Sequence, residues 1–342
     1  MLVIRPIASQ DLGALVRIAE ESGIGFTSLP VNEEKLASKI AYSEASFALG
    51  DDTCRQGEQG YLFVLEDTDN GAVVGTTALE ARVGQSDAFW HYRLGKVVHS
   101  SPKLGVHNEL DVLTLCNDYS GVSELCTLFL SEPYRQGYNG RLLSKTRFLF
   151  LAEFRQRFSD TIIAEMRGVS DENGDSPFWG WLQDHFFSMD FPKADYLSGL
   201  GKKTFIDELM PRYPIYSCLL SDEARAVIGE VHDKTRPALR LLQAEGFRWR
   251  GYVDIFDAGP TVECDVDNIH AIRDSKRLPV RIGDVSQGLT TMVSNTKLQD
   301  FRSTLAKAVI LDDVLVMDAE TAQALQVSEG DFVRALPFES KE

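Results

Sequence analysis

The segment Ser123–Ser144, SELCTLFLSEPYRQGYNGRLLS, restricts the fold of this 342-residue chain more than any other. The apolar run Leu125–Leu130 ends at a turn, Glu132-Pro133. Arg135, Gln136, Gly137, Asn139 and Gly140 follow, and then the amphipathic run Arg141–Phe158. That order reads as strand, glycine loop and helix. Glycines let backbone N–H groups approach an anion closely, and the first turn of a helix adds its positive dipole end. A phosphate-bearing ligand is therefore expected at Arg135–Arg141. Glycines used only for turn geometry give the same pattern, so these residues alone leave both readings open.

The flanking sequence supplies further elements. Val3–Pro6 reads as a strand, and Ser9 as an N-cap before Leu12, Leu15, Val16 and Ala19 at helical spacing, with Gly23 and Gly25 ending that helix. Asn32 caps a second helix, Glu33–Leu49, and Asp51–Gln59 is a polar loop. Tyr61–Glu66 and Ala72–Val83 flank the turn Asp69–Gly71, a hairpin signal. Trp90–His99 and Asp111–Asn117 read as strands joined by the loop SSPKLGVHN, and Asp160–Arg167 as another strand. Pro177 opens a helix, Phe178–Phe187, and the Pro- and Gly-broken stretch Leu197–Leu220 is expected to wrap the core. Pro237–Glu245 is a helix stopped by Gly246, and Phe247–Phe256 a strand. Asp257–Val280 reads as turns around a polar helical piece, Asn268–Lys276. A small β-rich domain at 278–342 follows, in which Asp318 caps a short helix and VSEGDFVRALPF suggests a small barrel.

Composition narrows the class. Hydrophobic residues make up 44%, enough for a packed core. A net charge of −16 disfavours a nucleic-acid binder, which needs a basic face. The acidic shell serves solubility, and it could also draw in a cationic substrate. No apolar run reaches the roughly 18–20 residues of a membrane span. The N-terminus MLVIRPIASQDL lacks a basic segment followed by an apolar one, so no signal peptide is expected. The five cysteines, Cys54, Cys116, Cys126, Cys218 and Cys264, form no CxxC pair, which argues against a disulfide framework or a zinc site. The expected location is cytoplasmic.

The order of elements resembles the GNAT acyl-CoA N-acyltransferases. IRPIASQDLGAL is similar to their first strand and helix, RQGYNGRLL to their pyrophosphate loop, and PALRLLQAEGFRWRGYVDIF to their last helix and strand. The loop departs from the usual R/Q-x-x-G-x-G/A pattern. Gly140 is in place, but Tyr138 stands at the middle glycine and Gly137 lies one residue earlier. The resemblance implies an α/β (α+β) fold with a mixed, mainly antiparallel sheet flanked by helices. The acyltransferase domain would span 1–257, with an insertion at about 188–231. FWGWLQDHFFSMDF competes with LRLLQAEGFRWRGYVDIF as the last helix–strand unit, and the second is preferred. Over nearly the whole chain, SELCTLFL, AEMRG, SPFW, FIDELMP, VIGEVH and YVDIFDAGPT resemble the arginine N-succinyltransferase family.

That resemblance implies succinyl transfer from succinyl-CoA to the α-amino group of L-arginine, with no metal and no cofactor beyond the co-substrate. It assigns a succinyl-CoA contact to Leu125 and the proton donor to His232 of VIGEVH. The pyrophosphate cradle falls on Arg135, Gln136, Gly137, Asn139, Gly140 and Arg141. Glu165 and Arg167, on one face of a strand by period two, are candidates for arginine or succinyl contacts, and they could equally form an ion pair holding the sheet. Glu124 and Asp254 are further candidates, and Thr27–Pro30 is a loop on the substrate side. The other histidines, His91 among them, are expected to be structural or exposed. Other readings are an acyltransferase using ornithine, another amine or acetyl-CoA, and a non-catalytic CoA-binding module. Expected partners are small molecules and other subunits of an oligomer, with no nucleic acid or membrane.

Overall fold

The computed structural model describes residues 1–23, 26–50, 57–171, 174–199 and 204–338. Gly25, Cys54, most of the loop Asp51–Gln59, and residues 200–203 and 339–342 lie outside them. The chain begins with β1 (Leu2–Pro6), α1 (Leu12–Ser22), α2 (Glu33–Ala48), β2 (Gly60–Asp67) and β3 (Ala72–Glu80). A long hairpin follows, β4 (His91–Ser101) and β5 (Val106–Cys116), and then β6 (Ser123–Leu130), α3 (Asn139–Glu153) and β7 (Thr161–Glu165). Next come α4 (Pro177–Phe186), α5 (Phe191–Gly199), α6 (Thr204–Leu209), β8 (Ile215–Tyr216) and α7 (Asp222–Ala226). The chain returns to the sheet with α8 (Arg236–Ala244), β9 (Arg248–Val253), β10 (Pro260–Asp265) and α9 (His270–Asp274). It ends with β11 (Lys276–Ile282), β12 (Leu289–Asn295), β13 (Ser303–Leu311), β14 (Val314–Met317), α10 (Ala319–Leu325) and β15 (Phe332–Pro337).

One hydrogen-bonded sheet runs β12-β15-β11-β14-β13-β1-β2-β3-β6-β7-β10-β9-β4-β5-β8. Only β6–β7 and β11–β14 pair in parallel among the described strands. The sheet is thus mixed and mainly antiparallel. Because β12 also pairs with β13, the last five strands close into a ring, and β13 joins that ring to β1.

Alternation explains the layers. In β2, Tyr61, Phe63 and Leu65 face the core under α3, while Leu62 and Val64 face α1 and α2. Both faces are covered, so the strand reads as a continuous apolar run rather than a half-buried one. Helix α3 buries Leu142, Leu143 and Phe148–Leu151 because the sheet, α8, α9 and the C-terminal ring all pack against it. A third core forms around Phe178, Trp179, Tyr92 and Val253, beneath α4 to α7.

The structure corrects several expectations. The stretch read as turns from Asp257 contains a strand, β10, which lies between β7 and β9 and carries the first sheet past residue 257. Ser9 caps nothing. It starts a 3-10 turn, and Asp11 instead accepts from the Ala8 N–H and pairs with Arg5. The loop SSPKLGVHN is mostly strand, closed by a turn at Pro102–Leu104 with Gly105 at φ +66°. Leu197–Leu220 contains α6 and the edge strand β8. Of the two competing helix–strand units, α8–β9 is the one built into the sheet.

Candidate active site

The parallel pair β6–β7 sits at the centre of the main sheet and then comes apart. Its pairings are Ser123 with Ile162 and Glu124 with Ile163. From Leu125 onward β6 pairs only with β3, while β7 continues against β10. A bulge accompanies the split. Cys126 pairs with Ala78 and Phe129 with Thr76, so Thr127 and Leu128 together oppose Thr77. Thr127 has φ +55°, a rare conformation for a β-branched residue, and its buried Oγ1 has no hydrogen-bond partner among the described residues. An extra residue of this kind bends its strand, which swings β6 away from β7. Leu125 buries its side chain in the core under α3, and its backbone lies at the first position beyond the last β6–β7 pair.

The glycine loop follows β6 directly. Gly137 takes φ +53°, whereas Tyr138 takes φ −100°. The left-handed residue thus sits one place earlier than in the pattern above, and Tyr138 needs no glycine. Its ring meets Phe338, just beyond β15, at 5.5 Å. Within the loop, Gln136 N–H donates to Tyr134 and Asn139 N–H to Gln136. The N–H groups of Gly137, Tyr138, Gly140 and Arg141 have no partner among the described residues. Four free donors at the start of α3 make an anion cradle. Arg135 donates from Nε to the Leu130 carbonyl at 2.7 Å, and Arg141 lies over the Tyr138 ring.

Because β6 and β7 are parallel, the cradle and the residues after β7 lie at the same end of the sheet. There His232 N–H donates to the Arg167 carbonyl at 2.9 Å. The His232 carbonyl accepts from Thr235 and Arg236 at the start of α8, and its Nδ1 accepts from Lys234 N–H at 3.1 Å. A neutral ring held this way carries its proton on Nε2. Partial burial, then the charges of Arg167 and Lys234, push the His232 pKa below the ordinary histidine value.

Arg167 donates from Nη2 to Ser170 Oγ. Behind it, Asp257 accepts from Gly168 N–H and Gly259 N–H at 2.7 and 2.8 Å. Burial pushes Asp257 up to about 6, against those hydrogen bonds and the Arg167 charge. Burial, Asp257 and Glu165 push Asp254 well up as well. Glu165 does not form an ion pair with Arg167. Its Oε1 lies 2.9 Å from Nε2 of His91, which is fully buried rather than exposed. Gly199 at the end of α5 packs against the Thr27 carbonyl and Pro30.

Models of the arginine N-succinyltransferase beta subunit match residues 2–271, and of its C-terminal domain residues 276–337. The chain belongs to the arginine N-succinyltransferase family. It is 48% identical to the arginine N-succinyltransferase subunit beta of Pseudomonas aeruginosa over 99% of both chains. It is also 48% identical to the arginine N-succinyltransferase of Escherichia coli, covering 98% of this chain and 97% of that one. The solved structure of the arginine/ornithine succinyltransferase subunit AI from Pseudomonas aeruginosa superposes with a TM-score of 0.91 at 39% identity, over 99% of each chain. Within this arginine N-succinyltransferase frame, Thr127 and Asp257 are residues that sequence reasoning passed over, and His91 is one it read only as structural or exposed. No helix among the described residues is long and apolar enough to cross a membrane.

Proposed function

We propose that the chain transfers the succinyl group of succinyl-CoA to the α-amino group of L-arginine, giving N2-succinylarginine and CoA. The observation that carries this reading is the split between β6 and β7 beside four unpartnered N–H groups, in a chain of this family. The pyrophosphate of CoA lies on the N–H groups of Gly137, Tyr138, Gly140 and Arg141, flanked by Arg135, Gln136 and Asn139. The pantetheine runs into the split, and backbone N–H groups near Leu125 stabilise the developing oxyanion. The amine nitrogen forms a bond to the thioester carbonyl carbon. The nitrogen loses a proton as the C–S bond breaks, and the sulfur takes a proton from protonated His232, which the released proton restores through water. A depressed pKa makes the His232 imidazolium a strong acid toward the thiolate. Arg167 contacts a carboxylate, that of succinyl or of arginine.

Succinyl-CoA enters as co-substrate, and the scheme uses neither a metal nor another cofactor. The protein works in the cytoplasm as an oligomer. The word "subunit" in the names of two relatives supports assembly, as does the exposed apolar surface at Phe186, Tyr213 and Leu219. The closed ring of five strands supports a separate C-terminal unit beginning near 276. Ornithine is a second acceptor to consider, since one solved relative carries arginine/ornithine in its name. A thiol-release assay pairing arginine or ornithine with succinyl- or acetyl-CoA tests the reading. CoA release is expected to be fastest with arginine and succinyl-CoA. Equal release with acetyl-CoA would reassign the donor, and no release with any pair would leave a CoA-binding module.

A further inference from the structure

Glu165 and His91 form a pair that the scheme above does not use. Glu165 is the last residue of β7, two positions beyond the final β6–β7 pair at Ile163. Its side chain is on the sheet face away from α3, because Ala164 and Ile162 point into the core under α3. It therefore stands beside the split, two residues past the last β6–β7 pair. Its side chain is 29% exposed, so a ligand can reach it.

His91 closes Glu165 off from behind. The ring is fully buried between Phe89 at 4.9 Å and Tyr119 at 5.1 Å. Nε2 lies 2.9 Å from Glu165 Oε1, yet without the angle of a hydrogen bond, and Nδ1 has no partner. Thr261, directly across from Glu165 on β10, is fully buried too, and its Oγ1 is unpartnered. Buried polar atoms left without partners around a half-open carboxylate are costly unless a ligand or water completes them. Asp254 and Asp257 from the β9–β10 connection also face Glu165, and Arg167 follows two residues later, beyond the end of β7.

The geometry points to Glu165 as the group that binds the acceptor's α-ammonium and takes its proton, with His91 as the positioning residue that holds the carboxylate. This rests on the succinyl-transfer reading. The N–H bond of the ammonium breaks and its proton passes to a Glu165 oxygen. The freed lone pair forms the C–N bond, and the second N–H proton leaves the nitrogen through water as the C–S pair leaves with sulfur. That proton replaces the one His232 gives to sulfur, and Glu165 later releases the first proton to water.

The test compares wild type, Glu165→Gln and His91→Gln in CoA release with arginine and in direct binding of succinyl-CoA. Glu165→Gln is expected to lower kcat/KM for arginine by about 10²-fold or more at pH 7.5, as loss of a general base does. The loss should shrink at pH about 9.5, where a larger share of the amine is already unprotonated in solution. His91→Gln should lose less and show the same pH dependence, and both variants should still bind succinyl-CoA. Glu165→Gln turnover close to wild type, a loss equal at both pH values, or loss of succinyl-CoA binding in both variants would overturn the proposal. A wild type that releases no CoA with arginine would instead overturn the functional reading beneath it.

Discussion

The main-chain N–H of Gly168 donates to Oδ2 of Asp257 at 2.7 Å, and a Cβ added at Gly168 would fall 2.5 Å from the Asp257 carbonyl and 2.6 Å from its Oδ1. The segment just after β7 therefore has room for glycine only, and the same segment carries the carbonyl that anchors His232. Gly168→Ala is expected to destabilise the protein by about 1–3 kcal/mol, the usual cost of overpacking against atoms that cannot yield. Thermal unfolding reads this as a lower Tm, with lower activity alongside. An unchanged Tm would contradict the packing described.

Asp257 also predicts a pH dependence. Its pKa is raised in the fold to about 6, mainly by burial, from the ordinary 3.8. Between these values the folded state binds more protons than the unfolded one, so stability from this group falls as pH rises through the window. Asp254 is shifted in the same direction and strengthens the trend. The Tm advantage of wild type over Asp257→Asn should therefore be larger near the bottom of that window than at neutral pH. An equal advantage at both would remove the buried-carboxylate account.

The cradle can be tested without disturbing the fold. A Cβ at Gly140 meets nothing within 4 Å, and Gly140 lies in the first turn of α3. Gly140→Ala should keep or slightly raise Tm, because alanine favours a helix by up to about 1 kcal/mol over glycine. An added methyl group beside the free N–H groups of Gly140 and Arg141 crowds a phosphate seated there, so the KM for succinyl-CoA should rise about tenfold, or about 1.4 kcal/mol. The KM for arginine should hardly move. Initial-rate kinetics with each substrate varied in turn decide it, and an unchanged succinyl-CoA KM would place the pyrophosphate elsewhere.

What the sequence made legible follows from local rules. Gly137, Gly140 and the apolar run before them marked the strand, loop and helix start of β6 and α3, because turn chemistry and helix starts are written in neighbouring residues. Asn32 and Asp318 were read as caps, and both accept from the N–H three residues on. β10 escaped because Pro260–Asp265 is short, opens on a proline and alternates polar with apolar residues within a turn-rich stretch. The bulge at Thr127 carried no signal, since a β-branched residue argues for regular strand. The pairing of His91 with Glu165 spans 74 positions, as 165 − 91 gives, and depends on a connection crossing one face of the sheet. No local pattern encodes such a contact.

The role given to His232 is the centre of the account, and His232→Ala tests it most directly. The substitution keeps the three backbone bonds of His232, to Arg167, Thr235 and Arg236, and removes the ring with its bond from Lys234 N–H. Steady-state turnover with arginine and succinyl-CoA should fall about 10²–10⁴-fold in kcat, as loss of a general acid does. Succinyl-CoA binding, measured by calorimetry on the same sample, should stay close to wild type. Turnover near the wild-type rate with binding intact would contradict the account.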